Sequence, residues 1–421
     1  MKKFLTILLA VLMVCGLAGC SNSSKETTGK VFYLNFKPEA DAAWQELAKT
    51  YTEKTGVEVK VVTAASGTYD TSLQNELGKT SQELTLFQLT NDGAVATYGE
   101  YCADWAGTDA YNEMTTHDFD LKKDGKTLGI GYCYECFGII TNKELLKKAG
   151  YEVSDIKDFA SLKAVVEDIH SRAKELGFDA FTNAGLADSS SWRFSGHLIT
   201  LPLHYEGIAA KGEIKGTYLN EFKNIWDLYL NNSATDKVAN NTAGDEAEAE
   251  FGKGQAVFYQ NGSWEYSALT GDNYGMKADN LVMLPIYCGH AGEEKAGLCS
   301  GTEAHWAINN LASEADQKAT LDFVKWVVTS EEGTKMMAEQ FGPIPFKKAV
   351  APENVFFAQA NELLAKGNYN VSWAFNYTPA VDDFRAGLVT ALKDYAVNND
   401  WSVVETAFVQ GWNNLYKQEA E

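Results

Sequence analysis

The chain alternates short apolar runs with segments in which apolar residues recur every three or four positions. Residues 31–35, "VFYLN", form an apolar run that predicts a buried strand. The next segment has apolar residues at helical spacing from Trp44 onwards, and Gly56 stands where such a helix would end. Residues 57–62, "VEVKVV", alternate apolar and polar positions, which is typical of a half-buried strand.

The same alternation continues and sets the fold class. A second helix is expected over about 69–80, and "LTLFQL" at 84–89 reads as a third strand. This β-α-β-α-β order predicts a parallel, doubly wound sheet. Further along, Asp124 and Gly125 separate two strand-like runs and predict a hairpin.

The second part of the chain is richer in helical patterns. These cover "NKELLKKAGY", "SLKAVVEDIHSRAKELG" and the ranges 217–231 and 243–252. After the strand-like "LVMLPIY" comes a helix pair, and Ser330 is suited to begin the second of the two helices. Pro343 and Pro345 then interrupt the pattern. We therefore expect an α/β protein.

The N-terminus has the features of an export signal. Lys2 and Lys3 precede an apolar run at 4–17 that is too short to cross a bilayer comfortably, so residues 1–19 are predicted to be a signal peptide. "LAGC", ending at Cys20, resembles the lipobox of bacterial lipoproteins, and the polar segment 20–29 then forms a disordered tether. Acylation of Cys20 would anchor the protein outside the cytoplasmic membrane. The alternative is an ordinary secretory signal with an incidental cysteine.

Length and charge limit what the body of the protein can be. Removing residues 1–19 from the 421 leaves 402, which is too many for one core and favours two domains. The formal net charge is −21, and loss of Lys2 and Lys3 makes it −23. Such an acidic chain is a poor candidate for binding nucleic acid. The ten Trp and twenty Tyr residues favour sites that use ring stacking.

The cysteines of the body do not form a metal or redox motif. They are Cys102, Cys133, Cys136, Cys288 and Cys299. The CxxC pair lies in a strand-like run, with no second pair or histidines for zinc and no helix start to lower a thiol pKa. We expect packing cysteines, and a Cys288–Cys299 bridge stays open.

The sequence contains no catalytic motif. HExxH, GxSxG and phosphate-binding loops are absent, and no cofactor or metal is expected. A secreted glycosidase would also be acidic and aromatic, but it needs two positioned carboxylates. Glu265 beside Trp264 is one such carboxylate. The chain is therefore expected not to be an enzyme, with a glycosidase as a distant alternative.

Five segments, in order, carry a resemblance to a known family. They are "AWQELAKTYTEKTGVEVKVV", "LFQLTND", "CFGIITNKELLKKAGY", "FGKGQAVFYQNGSW" and "DFVKWVVTSEEGTKMM" with "GPIPF" after it. Together they resemble the extracytoplasmic solute-binding lipoproteins of carbohydrate ABC importers. The most diagnostic is the arrangement F-x-x-G-x-A-x-x-x-x-G-x-W, from Phe251 to Trp264.

The resemblance implies two discontinuous α/β lobes with a hinge and a ligand cleft between them. The first lobe would comprise 30–135 and 286–342, and the second 136–285 and 343–421. The crossings are expected near 133–140, 283–288 and 342–347. The resemblance also implies a monomer that captures an oligosaccharide by lobe closure and delivers it to permease subunits. We expect an α-linked gluco- or galacto-oligosaccharide of two to several units. A polyamine or another small solute is the alternative ligand for the same fold.

Candidate ligand-binding residues lie just after strand ends or at crossings. The polar ones are Asn35, Lys37, Tyr69, Asn91, Asp92 and Glu135. For Asn35 and Lys37 a loop-capping amide and a solvated lysine are equally open. The aromatic candidates are Trp192, Trp264 and Trp373, which stand beside small or polar residues and so can cover the apolar face of a sugar ring.

Overall fold

The computed structural model describes residues 29–65, 67–183, 185–187, 190–235 and 246–420. Three predicted features lie outside these residues: the signal peptide, the acylation site at Cys20 and nearly all of the tether. Within the described ranges, no helix combines the length and the apolar character needed to cross a membrane.

The first lobe is built on a mixed sheet with the strand order β2-β1-β3-β11-β5-β4. Its strands are β1 (Val31–Asn35), β2 (Val59–Thr63), β3 (Leu86–Leu89), β4 (Leu121–Lys123), β5 (Lys126–Gly131) and β11 (His305–Ile308). β1 pairs in parallel with both β2 and β3, which confirms the predicted β-α-β-α-β unit. Asp124 and Gly125 join β4 to β5 with φ of 51° and 77°, so the predicted hairpin is also confirmed.

Helices cover both faces of this sheet. They are α1 (Asp41–Thr55), α2 (Tyr69–Leu77), α3 (Asp92–Tyr98), α4 (Asp109–Asn112), α12 (Glu314–Thr329) and α13 (Glu331–Phe341). Because strand residues alternate between faces, Val31 and Tyr33 pack with α1 and α12, whereas Phe32 and Leu34 pack with α2 and α3. Gly56 ends α1 in the left-handed region, as its position predicted.

The second lobe has its own mixed sheet, with the order β12-β10-β6-β8-β7 and with β9 paired to β6. Its strands are β6 (Glu135–Asn142), β7 (Asp179–Phe181), β8 (Ala256–Gly262), β9 (Leu281–Leu284), β10 (Ala296–Gly301) and β12 (Tyr369–Ser372). β6 runs antiparallel to β8 and to β10. The carboxyl ends of β8, β10 and β12 therefore lie at the same edge as the first residue of β6.

The helices of the second lobe bury a large aromatic core. They are α5 (Lys143–Lys148), α6 (Phe159–Ser171), α7 (Ala173–Leu176), α8 (Thr200–Glu206), α9 (Leu219–Asn231), α10 (Glu246–Gly252), α11 (Tyr266–Thr270), α14 (Val355–Ala365), α15 (Val381–Asn398) and α16 (Ser402–Ala420). Trp226 and Trp412 are fully buried here, as expected for tryptophans on helical patterns. The described structure thus has the predicted two-lobed α/β architecture.

Two of the crossings lie later in the chain than the sequence predicted. Residues 286–301, expected in the first lobe, belong to the second, because β10 pairs with β6 and with β12. The chain returns to the first lobe only between Gly301 and His305. Similarly, Ile344 and Phe346 lie in the core of the first lobe, so the last crossing follows them and does not occupy 342–347. Both errors arise because the strand pairing is long-range and leaves no local signal.

The five cysteines of the body are buried and free in the structure. The Cys288–Cys299 bridge that the sequence left open is not formed. These side chains instead fill space in the two lobes, in agreement with the expectation of packing cysteines.

Candidate functional site

Polar and aromatic side chains from both lobes meet where the strands end. Lys37 follows β1 in the first lobe, and Glu135 is the first residue of β6 in the second. The Lys37 ammonium donates a hydrogen bond of 2.6 Å to Oε1 of Glu135, and the two side chains are only 9% and 6% exposed. A buried ion pair thus joins the two lobes, and the solvated reading of Lys37 is wrong.

Burial and mutual attraction shift the pKa values of this pair. Burial lowers the pKa of Lys37, but the nearby carboxylates of Glu135 and Glu39 outweigh it and the net shift is upward. For Glu135, burial raises the pKa and the Lys37 ammonium opposes that rise. The lysine is therefore charged at any physiological pH.

Trp264 stands at the end of β8, beside this ion pair. A short 3-10 turn, Ser263–Glu265, follows Gly262 and sets the indole against the backbone of that glycine. A Cβ added at Gly262 would lie 2.2 Å from the Trp264 ring, so only glycine fits. The Lys37 ammonium lies 5.8 Å from the ring centroid, within the range of a cation–π interaction.

His197 brings the three predicted tryptophans together. Its ring stacks on Phe137 with centroids 4.2 Å apart and planes 4° apart. Trp192 and Trp264 contact it edge-on at 4.6 Å and 5.3 Å, and Trp373 lies 6.3 Å away on a nearly parallel plane. We call these five residues the aromatic wall. A single π turn, Arg193–His197, presents the histidine, and such turns are frequent at functional sites.

Several buried polar atoms near the wall have no hydrogen-bond partner within the described ranges. They are Nδ1 of His197, Nε1 of Trp373, both amide atoms of Gln260, Oε2 of Glu265 and Oδ1 of Asn376. Buried polar groups are normally satisfied, and an unpaired one costs about 1–3 kcal/mol. Burial also lowers the pKa of His197 well below its ordinary value, so the ring is neutral. Such an arrangement suits a hydroxyl-rich solute.

Two further carboxyl groups belong to the same region. Glu265 is partly buried, and burial, reinforced by the charges of Glu248 and Glu39, raises its pKa to about 8. Glu303 lies in the second crossing, just after β10, and burial raises its pKa to about 7. Both groups are therefore partly protonated near neutral pH.

Asn35 and Tyr69, two other predicted site residues, use their polar groups in hydrogen bonds within the first lobe. Asn35 is fully buried and caps its own loop, donating to the Lys37 carbonyl at 2.7 Å and to Thr63 at 3.0 Å. The Tyr69 hydroxyl donates to the Gln88 carbonyl. These contacts hold the loop that carries Lys37, and they give Asn35 and Tyr69 supporting positions.

The remaining predicted pair lies at the start of α3. Asn91 accepts a hydrogen bond from the Ala94 amide and caps the helix. Asp92 is exposed, and its charge contributes to raising the pKa of Tyr377 in the second lobe. Asp92 thus lies near the opposite lobe.

Sequence reasoning missed four residues of this region: Phe137, His197, Gln260 and Glu303. Phe137 lies in a strand-like run and His197 in "WRFSGHLIT", and neither belongs to a motif that would have given a distinct signal. Glu303 would have been found if the second crossing had been placed after β10. Gln260 is the one polar side chain in the apolar run of β8 before Asn261, which was a usable signal. Among the described residues, no group of three or more His, Cys, Asp and Glu side chains is arranged to hold a metal ion.

Comparison with known proteins gives the family. The profile of the family described as bacterial extracellular solute-binding protein matches residues 46–366. RafE in complex with raffinose superposes with a TM-score of 0.74 at 16% identity, covering 92% of this chain and 100% of that chain. A chitin oligosaccharide binding protein superposes with a TM-score of 0.68 at 15% identity, covering 93% of this chain and 98% of that chain.

Maltose-bound MalE3 of T. maritima gives a TM-score of 0.66 at 15% identity, covering 93% of this chain and 99% of that chain. No curated protein matches the chain by sequence. The structural likenesses agree with the two-lobed fold, and the family profile spans most of the chain. The chain therefore belongs to the family of bacterial extracellular solute-binding proteins.

Proposed function

We propose that this protein is the substrate-binding component of a carbohydrate ABC importer and that it captures an oligosaccharide between its lobes. The observation that carries the proposal is the aromatic wall beside buried polar atoms without hydrogen-bond partners in the described part of the chain. A sugar offers two kinds of surface, weakly apolar C–H faces and hydroxyl groups. Flat rings cover the former, and amide, imidazole and carboxyl groups bond the latter.

The solutes of similar structures support this class of ligand. Those structures include complexes with raffinose, with maltose and with mannotriose. Each of these solutes has two or three sugar units, which agrees with a wall of three tryptophans. An α-linked gluco- or galacto-oligosaccharide of two to several units remains our proposal for the ligand.

Lobe closure is the proposed mechanism of capture. The described lobes are in contact, since the Lys37–Glu135 pair joins them and a Cβ added at Gly93 would lie 3.0 Å from Lys211 Nζ. A solute that touches both lobes binds the closed form better and shifts the population toward it. Permease subunits would then recognise the closed protein. The binding step involves no covalent chemistry.

The proposed location follows from the N-terminal sequence. Acylation of Cys20 would hold a monomeric protein at the outer face of the cytoplasmic membrane, which agrees with the description of the family as extracellular. Metabolic labelling with a clickable palmitate analogue tests this proposal. We expect label on the full chain and none on a Cys20→Ala variant, and equal labelling of both would refute it.

Isothermal titration of the purified protein with raffinose, maltotriose, mannotriose and chitotriose tests the proposed ligand class. We expect binding of at least one sugar, quenching of tryptophan fluorescence, and no release of shorter products. Product release would favour the glycosidase alternative. Tight binding of spermidine with no binding of any sugar would replace the oligosaccharide by a polyamine.

A further inference from the structure

Carboxyl groups outnumber amines where Trp264 meets the first lobe. Glu39, Glu135, Glu265 and Glu303 all interact electrostatically with this region, and Lys37 is the lysine among them. The Lys37 ammonium forms ion pairs with Oε1 of Glu135 at 2.6 Å and with Oε1 of Glu39 at 3.7 Å. Within the described ranges Lys37 thus forms no ion pair with Glu265 or Glu303, and the ionised form of each carboxyl group can accept a further cation.

Glu265 is held in place but only half satisfied. Asn261 donates to its Oε1 at 2.8 Å, while Oε2 is buried without a partner in the described part of the chain. Its charged surroundings are unfavourable on balance, because Glu248 and Glu39 repel it more than Arg193 attracts it. A carboxyl group oriented this firmly beside Trp264 is ready to accept a hydrogen bond from a cation.

Glu303 extends the same surface from the second crossing. Lys37 and Arg385 attract it and Glu135 repels it, yet within the described ranges it forms no ion pair with any of them. Arg385 instead donates its Nε hydrogen to the Ser195 hydroxyl at 3.3 Å. Gly301, two residues earlier, pairs with Glu135, and a Cβ added there would lie 2.6 Å from the Trp373 ring, so Glu303 follows a strand end beside the aromatic wall.

The protein itself shows that an ammonium group fits this surface. The Lys37 ammonium lies 5.8 Å from the centroid of the Trp264 ring while bonded to Glu135. Aromatic rings with carboxylates around them favour ammonium groups, because the ring face and the oxygens are both negative. A second ammonium from a solute would meet the same chemistry at Glu265 and Glu303.

We propose that the captured solute carries a protonated amine, bound where Trp264, Glu265 and Glu303 line the cleft. This inference rests on the proposed function and specifies the chemical class of its ligand. The shared chemistry is an alkylammonium group, which an amino sugar or a polyamine can supply. The aromatic wall favours an amino sugar, since a polyamine has no ring for Trp192 and Trp373 to cover.

Calorimetry at neutral pH with two pairs of three-ring solutes, one neutral and one amine-bearing in each pair, tests the proposal. Cellotriose is compared with the β-1,4-linked glucosamine trimer, and maltotriose with kanamycin, in which two amino sugars are α-linked to an aminocyclitol, while spermidine is titrated as an amine without sugar rings. In at least one pair the amine should bind about tenfold tighter or more, the size expected for a charge-assisted contact. Glu265→Gln and Glu303→Gln should each reduce that preference, the ratio of amine affinity to neutral-sugar affinity, about fivefold or more.

The control is Glu46→Gln, which removes the same charge from an exposed position on α1 and should leave the preference unchanged. Circular dichroism spectra verify that each variant is folded. If neutral sugars bind as tightly as their amines, the amine inference is wrong and the proposed oligosaccharide function stands. If spermidine binds and no sugar does, the oligosaccharide function is overturned while the amine inference stands with a polyamine as the solute. If nothing in the panel binds, both are overturned.

Discussion

Replacing Lys37 by methionine should destabilise the protein by about 3 kcal/mol near neutral pH, the cost typical of breaking a buried pair. The ammonium and the carboxylate of Glu135 are 2.6 Å apart with little exposure. At an effective dielectric constant of about 20, their attraction is about 6 kcal/mol. Part of this loss is offset, because methionine needs no desolvation of an ammonium. Glu135 stays buried and loses its cation, so most of the remaining cost falls on that carboxylate.

The destabilisation by Lys37→Met should also depend on pH. Burial already raises the pKa of Glu135, and removal of the opposing cation raises it further. A carboxyl group whose pKa is higher in the folded than in the unfolded state stabilises the folded state at low pH. That stabilisation is lost as the pH rises through the folded-state pKa. Urea unfolding followed by circular dichroism at about pH 5 and about pH 8 should therefore show the larger loss at the higher pH.

Two further variants control for the size of the effect. Lys49→Met breaks the exposed pair with Glu53, which is 3.9 Å long, and should cost less than about 0.5 kcal/mol. Adding Glu135→Leu to Lys37→Met removes the orphaned carboxylate and should restore much of the stability. A loss below about 1 kcal/mol for Lys37→Met, or an equal loss at both pH values, would refute the reasoning.

Three other substitutions test the site and the packing around Gly342. Trp264→Ala should weaken oligosaccharide binding by about 2 kcal/mol in calorimetry, and Trp326→Ala on α12 should not. Since the pKa of Glu265 is about 8, wild-type stability to urea should fall as pH rises toward that value, and Glu265→Gln should flatten the slope; an unchanged slope contradicts this. Gly342→Ala, with φ of 76° and an added Cβ 2.0 Å from a phenylalanine ring, should lower stability by about 2 kcal/mol or more in thermal melts. Gly107→Ala, with φ of 82° but open space, should cost only about 1 kcal/mol, and equal losses would refute the steric argument.

Local signals accounted for most of the first lobe. The apolar run of β1, the helical spacing in α1 and the Asp124-Gly125 turn each depend on neighbours within a few residues. Such features act through backbone preference and amphipathic burial, so they can be read from one sequence. The parallel pairing of the first three strands followed from their alternation with helices.

The errors lie where distant segments meet. β10 joins the second sheet because it pairs with β6, about 160 residues earlier in the chain, and no local pattern records that pairing. The same error displaced Glu303 from the predicted site. His197 was missed because its importance comes from Phe137 and the tryptophans around it, which converge only in the folded chain.

The reaction rates of the five buried thiols can be used to measure how often the folded protein opens. Burial raises the pKa of each, to about 12 for Cys102 and Cys136, so few thiolates form while the chain is folded. A thiol reagent should thus react only as fast as the molecule opens. The rate of thiol modification, measured with and without solute, reports the local stability of each lobe without an added label.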